Sequence, residues 1–181
     1  QIKLFVLGYP HNPTAQVGDQ ICLENIMQLA KKHQFVVAHD NPYVDLAIDG
    51  EAPVLLRSSF WRECGIEFFS FSKGWNMGGL RIGFAVGAEH LISSLQKIKG
   101  VIDFNQSLAL QNGAITALSL PSSLCWKEKM KFVYRDRRDK TINALRNIGW
   151  QIPLPTMGMY LWLPIPEWAK ERGWNDEKFS S

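Results

Sequence analysis

Several features are scarce in this chain of 181 residues, and each scarcity excludes something. Cysteine occurs three times, at Cys22, Cys64 and Cys125. The number is odd and the spacing wide, with neither a CxxC pair nor a disulfide framework, which fits reduced thiols in a cytoplasm. No apolar run reaches the length of a membrane span, and no basic segment precedes an apolar one as in a secretory leader. Charge of one sign is also lacking: the net charge is +3 with 20% charged residues. Aromatic residues are scattered rather than interleaved with Lys and Arg, so a nucleic-acid partner has little support. His11, His33, His39 and His90 lack metal-ligand spacing, and no zinc site is expected. There is no G-x-x-x-x-G-K-[ST] loop for a nucleotide and no G-x-S-x-G elbow for a hydrolase. Internal repeats and low-complexity tracts are absent.

The chain does have apolar content, 46%, enough for a real core. Four short apolar runs read as buried strands: Leu4 to Leu7, Phe35 to Ala38, Ile66 to Phe69 and Ile82 to Val86. None alternates with polar residues, the habit of parallel strands covered on both faces. Leu23, Ile26, Met27 and Ala30 mark a helix between the first two runs, with Asp19 as its N-cap. Strand, helix, strand in that order implies a parallel pair and an α/β fold. Further helices are expected over 88–99, stopped by Gly100, over 106–119, and over 123–148, stopped by Gly149. Arg135, Arg137 and Arg138 on the last of these read as a solvated, salt-bridged face. Pro153 and Pro155 mark a break, which divides the chain into 1–148 and 149–181. Tyr160 to Leu163 reads as a strand opening the second region. The chain starts at Gln1, without an initiator Met. It stops where Asp176 looks like the cap of a new helix. It is therefore read as an internal piece of a longer protein.

Three polar positions follow strands. Asn12 follows the first, Asp40 the second, and Ser70-Phe71-Ser72-Lys73 the third. Ligands of open α/β sheets bind just beyond the carboxyl ends of strands. Lys73, a lone lysine in an apolar setting, is a candidate Schiff-base former. Ser70, Ser72 and Arg81 suit a phosphate, Arg as a fork and Ser as a short donor. An amine reactive toward an aldehyde, next to a phosphate site, suggests pyridoxal phosphate. A strand-end carboxylate such as Asp40 can pair with a protonated pyridine nitrogen. Tyr43 and the Asn12 amide can reach the ring oxygen. Each residue also has a plain reading: an Asx-turn at Asp40 before Pro42, a turn at Asn12-Pro13, a surface arginine and turn serines. Their order along the chain and their shared place at strand ends argue for the joint reading.

Asn12-Pro13-Thr14, Asp40-x-x-Tyr43 and Ser70-x-Ser72-Lys73, with Arg81 eight residues on, resemble the class I/II aminotransferases of pyridoxal-phosphate fold type I. The resemblance covers essentially the whole chain. It implies a three-layer large domain with a mainly parallel sheet and helices on both faces over 1–148, and the start of a small C-terminal α+β domain over 149–181. Lys73 would be the Schiff-base lysine and proton shuttle. Asp40 would pair with the pyridinium, Tyr43 and Asn12 would touch the ring oxygen, and Ser70, Arg81 and Ser72 would bind phosphate. The implied reaction moves an amino group between an L-amino acid and a 2-oxo acid, with alanine, aspartate or diaminopimelate as the favoured donors and a homodimer as the full-length form. The same residues also serve lyases of this fold, and pyridoxal-phosphate-binding regulatory domains. Ala15 departs from the glycine the family often has after Asn-Pro-Thr, so strain is expected in that turn. The N-terminal phosphate-binding loop and the substrate-carboxylate arginine are expected outside these residues.

Overall fold

The computed structural model describes residues 2–181. Four strands form one sheet in the order β1-β2-β3-β4. They are β1 (Leu4–Gly8), β2 (Val36–Asp40), β3 (Gly65–Ser70) and β4 (Gly83–Gly87). The first three are parallel, with Leu7 opposite His39 and His39 opposite Glu67. β4 is antiparallel to β3, pairing Ser70 with Gly83. That departs from the expectation drawn from its apolar run. The twelve residues between Ser70 and Gly83 explain it: they form the Lys73 turn and a 3-10 turn over Gly78–Leu80 rather than a crossover helix, so β4 starts at the edge where β3 ends.

Helix α1 (Gln20–His33) joins β1 to β2. The Asp19 side chain accepts from the Cys22 amide and caps it, and Gln34 in the left-handed region closes it. Leu23, Met27 and Ala30 are fully buried, and the last two form a core with Val37 and Leu55. The short helix α2 (Trp61–Cys64) leads into β3. Cover on the other face is incomplete, since Leu4 is 55% and Val6 63% exposed. No element among the described residues packs over them.

Helices α3 (Glu89–Ile102), α4 (Leu108–Ser119) and α5 (Ser123–Asn147) follow. α3 runs through Gly100 rather than stopping there. A glycine inside a helix costs only about 1 kcal/mol relative to alanine, and the Lys99–Asp103 pair at 2.8 Å supports the last turn. α5 ends before Gly149, whose φ of +83° suits glycine. Arg138 is buried rather than solvated. It donates to Asp49 and to the Pro155 carbonyl at 2.8 Å, and its Nε reaches Asp139 at 2.8 Å. Its hydrogen bond holds the Asp49 carboxyl below the usual range. This arginine therefore ties α5 to the segment after Pro153.

Residues 160–163 form no strand. The nearest ladder contact is the single bridge from Ala47 to Met157, and an extended segment needs a partner to become a strand. Two short helices, α6 (Glu167–Lys170) and α7 (Asp176–Ser180), complete the chain. Asn175, not Asp176, caps α7, its side chain accepting from the Lys178 amide. Ala15 is buried at φ +55°. A left-handed L-residue costs roughly 1–2 kcal/mol, so the expected strain in this turn is present.

Candidate active site

The strand directions bring one set of residues to one sheet edge. Gly8, Asp40 and Ser70 end β1, β2 and β3, and Gly83 begins β4. Gly8 pairs with Asp40, and Ser70 with Gly83. Because β4 runs back from this edge, Arg81 arrives beside it just before Gly83.

Asn12 sits in the turn after β1, between two cis prolyl peptides at Pro10 and Pro13. The turn is closed by His11 N–H to Gln16 O and Ala15 N–H to His11 O, both 2.8 Å. Tyr43 precedes the 3-10 turn Val44–Leu46 and is 4% exposed, packed with Leu46 and Met130. Its hydroxyl lies 2.8 Å from that of Tyr160. Burial pushes the Tyr43 phenol up most strongly, followed by the Tyr160 hydrogen bond and the Asp40 charge, whereas the Asn12 side chain pulls it down. Asn12, Asp40 and Tyr160 thus all act on one hydroxyl. The half-buried Lys73 amine stands 6.0 Å from the centre of the Tyr43 ring. Lys73 has no ion-pair partner among the described residues, in contrast to Lys127, which pairs with Asp45 at 2.8 Å.

The Lys73 turn is held from both sides. Phe71, Trp75, Ile82 and Ala114 form a core beneath it. Trp75 Nε1 donates to Asp45 at 3.0 Å, and Trp126 Nε1 donates to the Gly74 carbonyl at 3.1 Å. Lys127, 5.2 Å from the Trp75 ring, completes the cluster around Asp45. A Cβ on Gly74 would lie 2.5 Å from the Asp45 Cβ. Gly74→Ala is therefore expected to force the turn aside and to lower stability by about 1–3 kcal/mol. Denaturant unfolding of the full-length protein measures this, and an unchanged midpoint would contradict the packing described.

The phosphate candidates lie along the same edge. Ser70 Oγ accepts from the Ser72 amide at 3.1 Å. Arg81 is exposed at φ +52° and donates to the Gly78 carbonyl at 3.0 Å, not to either serine. So the structure brings Asn12, Asp40 and Lys73 to the neighbourhood of Tyr43, and places Ser70, Ser72 and Arg81 along the same edge without joining the arginine to the serines.

Sequence reasoning missed Asp45, Tyr160 and a buried polar network. His39, Asn41 and Glu67 are each 0% exposed. The Tyr9 amide donates to His39 Nε2 at 3.3 Å, which leaves the ring hydrogen on Nδ1 to donate to Glu67 Oε1 at 2.8 Å. Asn41 donates to Glu67 Oε1 at 2.8 Å and to Pro53 O at 3.0 Å, and the Leu56 amide donates to Glu67 Oε2 at 3.2 Å. Among the described residues, Asn41 Oδ1 has no partner. The network fastens the turn bearing Asn12 to the strand ending in Asp40. A signal was present: Glu67 interrupts an apolar run, and a buried carboxylate requires donors.

The sequence profile of the family described as aminotransferase class I and II matches residues 1–180. An LL-diaminopimelate aminotransferase of Halothermothrix orenii is 37% identical over 99% of this chain and 44% of its own length. A glutamate-pyruvate aminotransferase of Escherichia coli is 39% identical over 91% of this chain and 40% of its own. Among solved structures, a probable N-succinyldiaminopimelate aminotransferase from Thermus thermophilus superposes with a TM-score of 0.82 at 39% identity, covering 91% of this chain and 44% of that one. An aminotransferase from Staphylococcus aureus gives 0.87 at 31%, covering 98% and 45%. The chain thus spans less than half the length of these relatives.

Proposed function

Because the chain belongs to the class I and II aminotransferase family, we propose that the whole protein moves an amino group between an L-amino acid and a 2-oxo acid, with pyridoxal 5'-phosphate held on Lys73. One observation carries the reading: a lysine amine without an ion pair faces the ring of Tyr43, whose hydroxyl also feels Asn12 and Asp40. The donor set fits the cofactor, with an amine for its aldehyde, a carboxylate for its ring nitrogen, two donors for its ring oxygen, and two hydroxyls and a guanidinium for its phosphate. When bound, the cofactor supplies an aldehyde for the substrate's amine and a ring that accepts the electrons freed at the α-carbon.

This chain's residues supply the rest. Asp40, at the end of β2, holds a proton on the ring nitrogen by charge pairing. Tyr43 and Asn12 would donate to the ring oxygen. Ser70, Ser72 and Arg81 bind phosphate, Arg81 after exchanging its Gly78 contact for a charge-assisted one. The Lys73 amine would hold the cofactor through its aldehyde carbon and, freed by the substrate's amine, would carry the proton between the substrate's α-carbon and that aldehyde carbon. The relatives named for diaminopimelate and for glutamate and pyruvate support a donor from the alanine, aspartate or diaminopimelate group. We further assign 1–148 to the large domain and 149–181 to the start of the small one, and infer a homodimer working in the cytoplasm, a reducing compartment that suits its three unpaired thiols. Among the described residues no helix is long and apolar enough to cross a membrane.

The test is borohydride reduction of the full-length protein with bound pyridoxal phosphate, followed by peptide mapping. The pyridoxyl group is expected on Lys73. Labelling of another lysine would overturn the assignment, and product analysis with and without a 2-oxo acid separates a transaminase from a lyase.

A further inference from the structure

A tyrosine hydroxyl has one hydrogen to give. In the site described above, Tyr43 must give its hydrogen to the ring oxygen of the cofactor. Yet the Tyr43 hydroxyl is already 2.8 Å from the Tyr160 hydroxyl, and either oxygen can be the donor in that contact. If Tyr43 donates to the cofactor, Tyr160 must donate to Tyr43.

The surroundings of Tyr160 suit such a fixed role. Its segment is clamped to the turn that follows Tyr43: the Asp49 amide donates to Thr156 O at 2.8 Å, and the Gly158 amide to Leu46 O at 2.9 Å. The two rings meet edge to face, 5.6 Å apart and 79° between planes. Tyr160 also packs against the cluster of Tyr43, Leu46 and Met130. Ring packing and backbone contacts therefore place the Tyr160 oxygen without help from the hydroxyl bond itself. The Tyr43 phenol is pushed up chiefly by burial, so it keeps its hydrogen and remains a donor.

We propose that Tyr160 is a positioning residue whose hydroxyl donates to the Tyr43 oxygen, turns the Tyr43 hydrogen toward the cofactor's ring oxygen and strengthens that bond. A hydroxyl that accepts one hydrogen bond donates the next more strongly. The relay links the C-terminal segment to the cofactor, so the placement of residues 156–160 is felt at the ring. The inference rests on the pyridoxal-phosphate reading of the site.

The experiment uses the full-length protein loaded with pyridoxal phosphate and follows the visible absorption band of the bound cofactor against pH. A donor at the ring oxygen drains negative charge from beside the lysine nitrogen, so that nitrogen releases its proton at lower pH. Tyr160→Phe keeps the ring and removes one oxygen. It is expected to raise the midpoint of the band by roughly 0.2–0.4 pH unit, since the Tyr43 bond is weakened rather than lost, with the thermal midpoint nearly unchanged. Tyr43→Phe should raise it further. In the Tyr43→Phe background, adding Tyr160→Phe should move nothing more, because the relay is already cut. An unshifted midpoint in Tyr160→Phe, or the same shift with and without Tyr43, would overturn the proposal while leaving the cofactor reading intact. Absence of any cofactor band in the wild-type protein would overturn both.

Discussion

Lys73→Ala in the full-length protein is expected to reduce amino-group transfer by about 10³- to 10⁴-fold, with the folded protein intact. Proton transfer by a positioned side chain contributes about 10²–10⁴, and the loss of covalent attachment adds to it. The fold should not notice, because the Lys73 amine has no ion pair to lose and its turn is held by Phe71, Trp75 and Gly74 instead. A change in stability beyond about 0.5 kcal/mol is not expected for such a position. The measurement is kcat with a 2-oxo acid acceptor beside a denaturant melt of the same preparation. Turnover within tenfold of wild type would remove Lys73 from the centre of the mechanism.

The largest effect on stability should come from a residue that touches no substrate. His39→Leu strips the Tyr9 amide of its acceptor and Glu67 of one of its donors. Loss of the Tyr9 amide's acceptor and of one of the three donors to the buried Glu67 carboxylate costs about 2–5 kcal/mol together. The double variant His39→Leu with Glu67→Leu should lose less than the sum of the two single losses, because removing both halves of a buried polar pair leaves fewer orphans. Urea unfolding of the four proteins gives the cycle. Additive losses would show that the two residues are not energetically joined.

The parts of the fold legible in the chain were those written locally. Apolar runs without alternation marked the strands, and the spacing from Leu23 to Ala30 marked α1 with its Asp19 cap. Asn12, Asp40 and the segment from Ser70 to Lys73 stand out in the chain because each lies at or after the end of a strand, a position readable from the sequence alone. What could not be read depends on partners distant in sequence. The direction of β4 follows from a connection without a crossover helix rather than from its own residues. Arg138 looks like any charged residue on a helical face until Asp49, from a turn 89 residues earlier, meets it. Tyr160 to Leu163 has the composition of a strand but lies beside none. The Asn12, Asp40 and Tyr43 turns were legible one by one; that they bear on one hydroxyl was not.

The cluster around Asp45 bears on how this site can change over generations. Asp45 holds Trp75 and Lys127, Gly74 leaves room for Asp45, and Trp126 holds Gly74. A side chain added at Gly74 meets Asp45, and a shortened Asp45 abandons an indole and an ammonium. Single substitutions here lead downhill, while a joint replacement of several members need not. A change tolerated in the frame under Lys73 is therefore expected to involve several of these residues together.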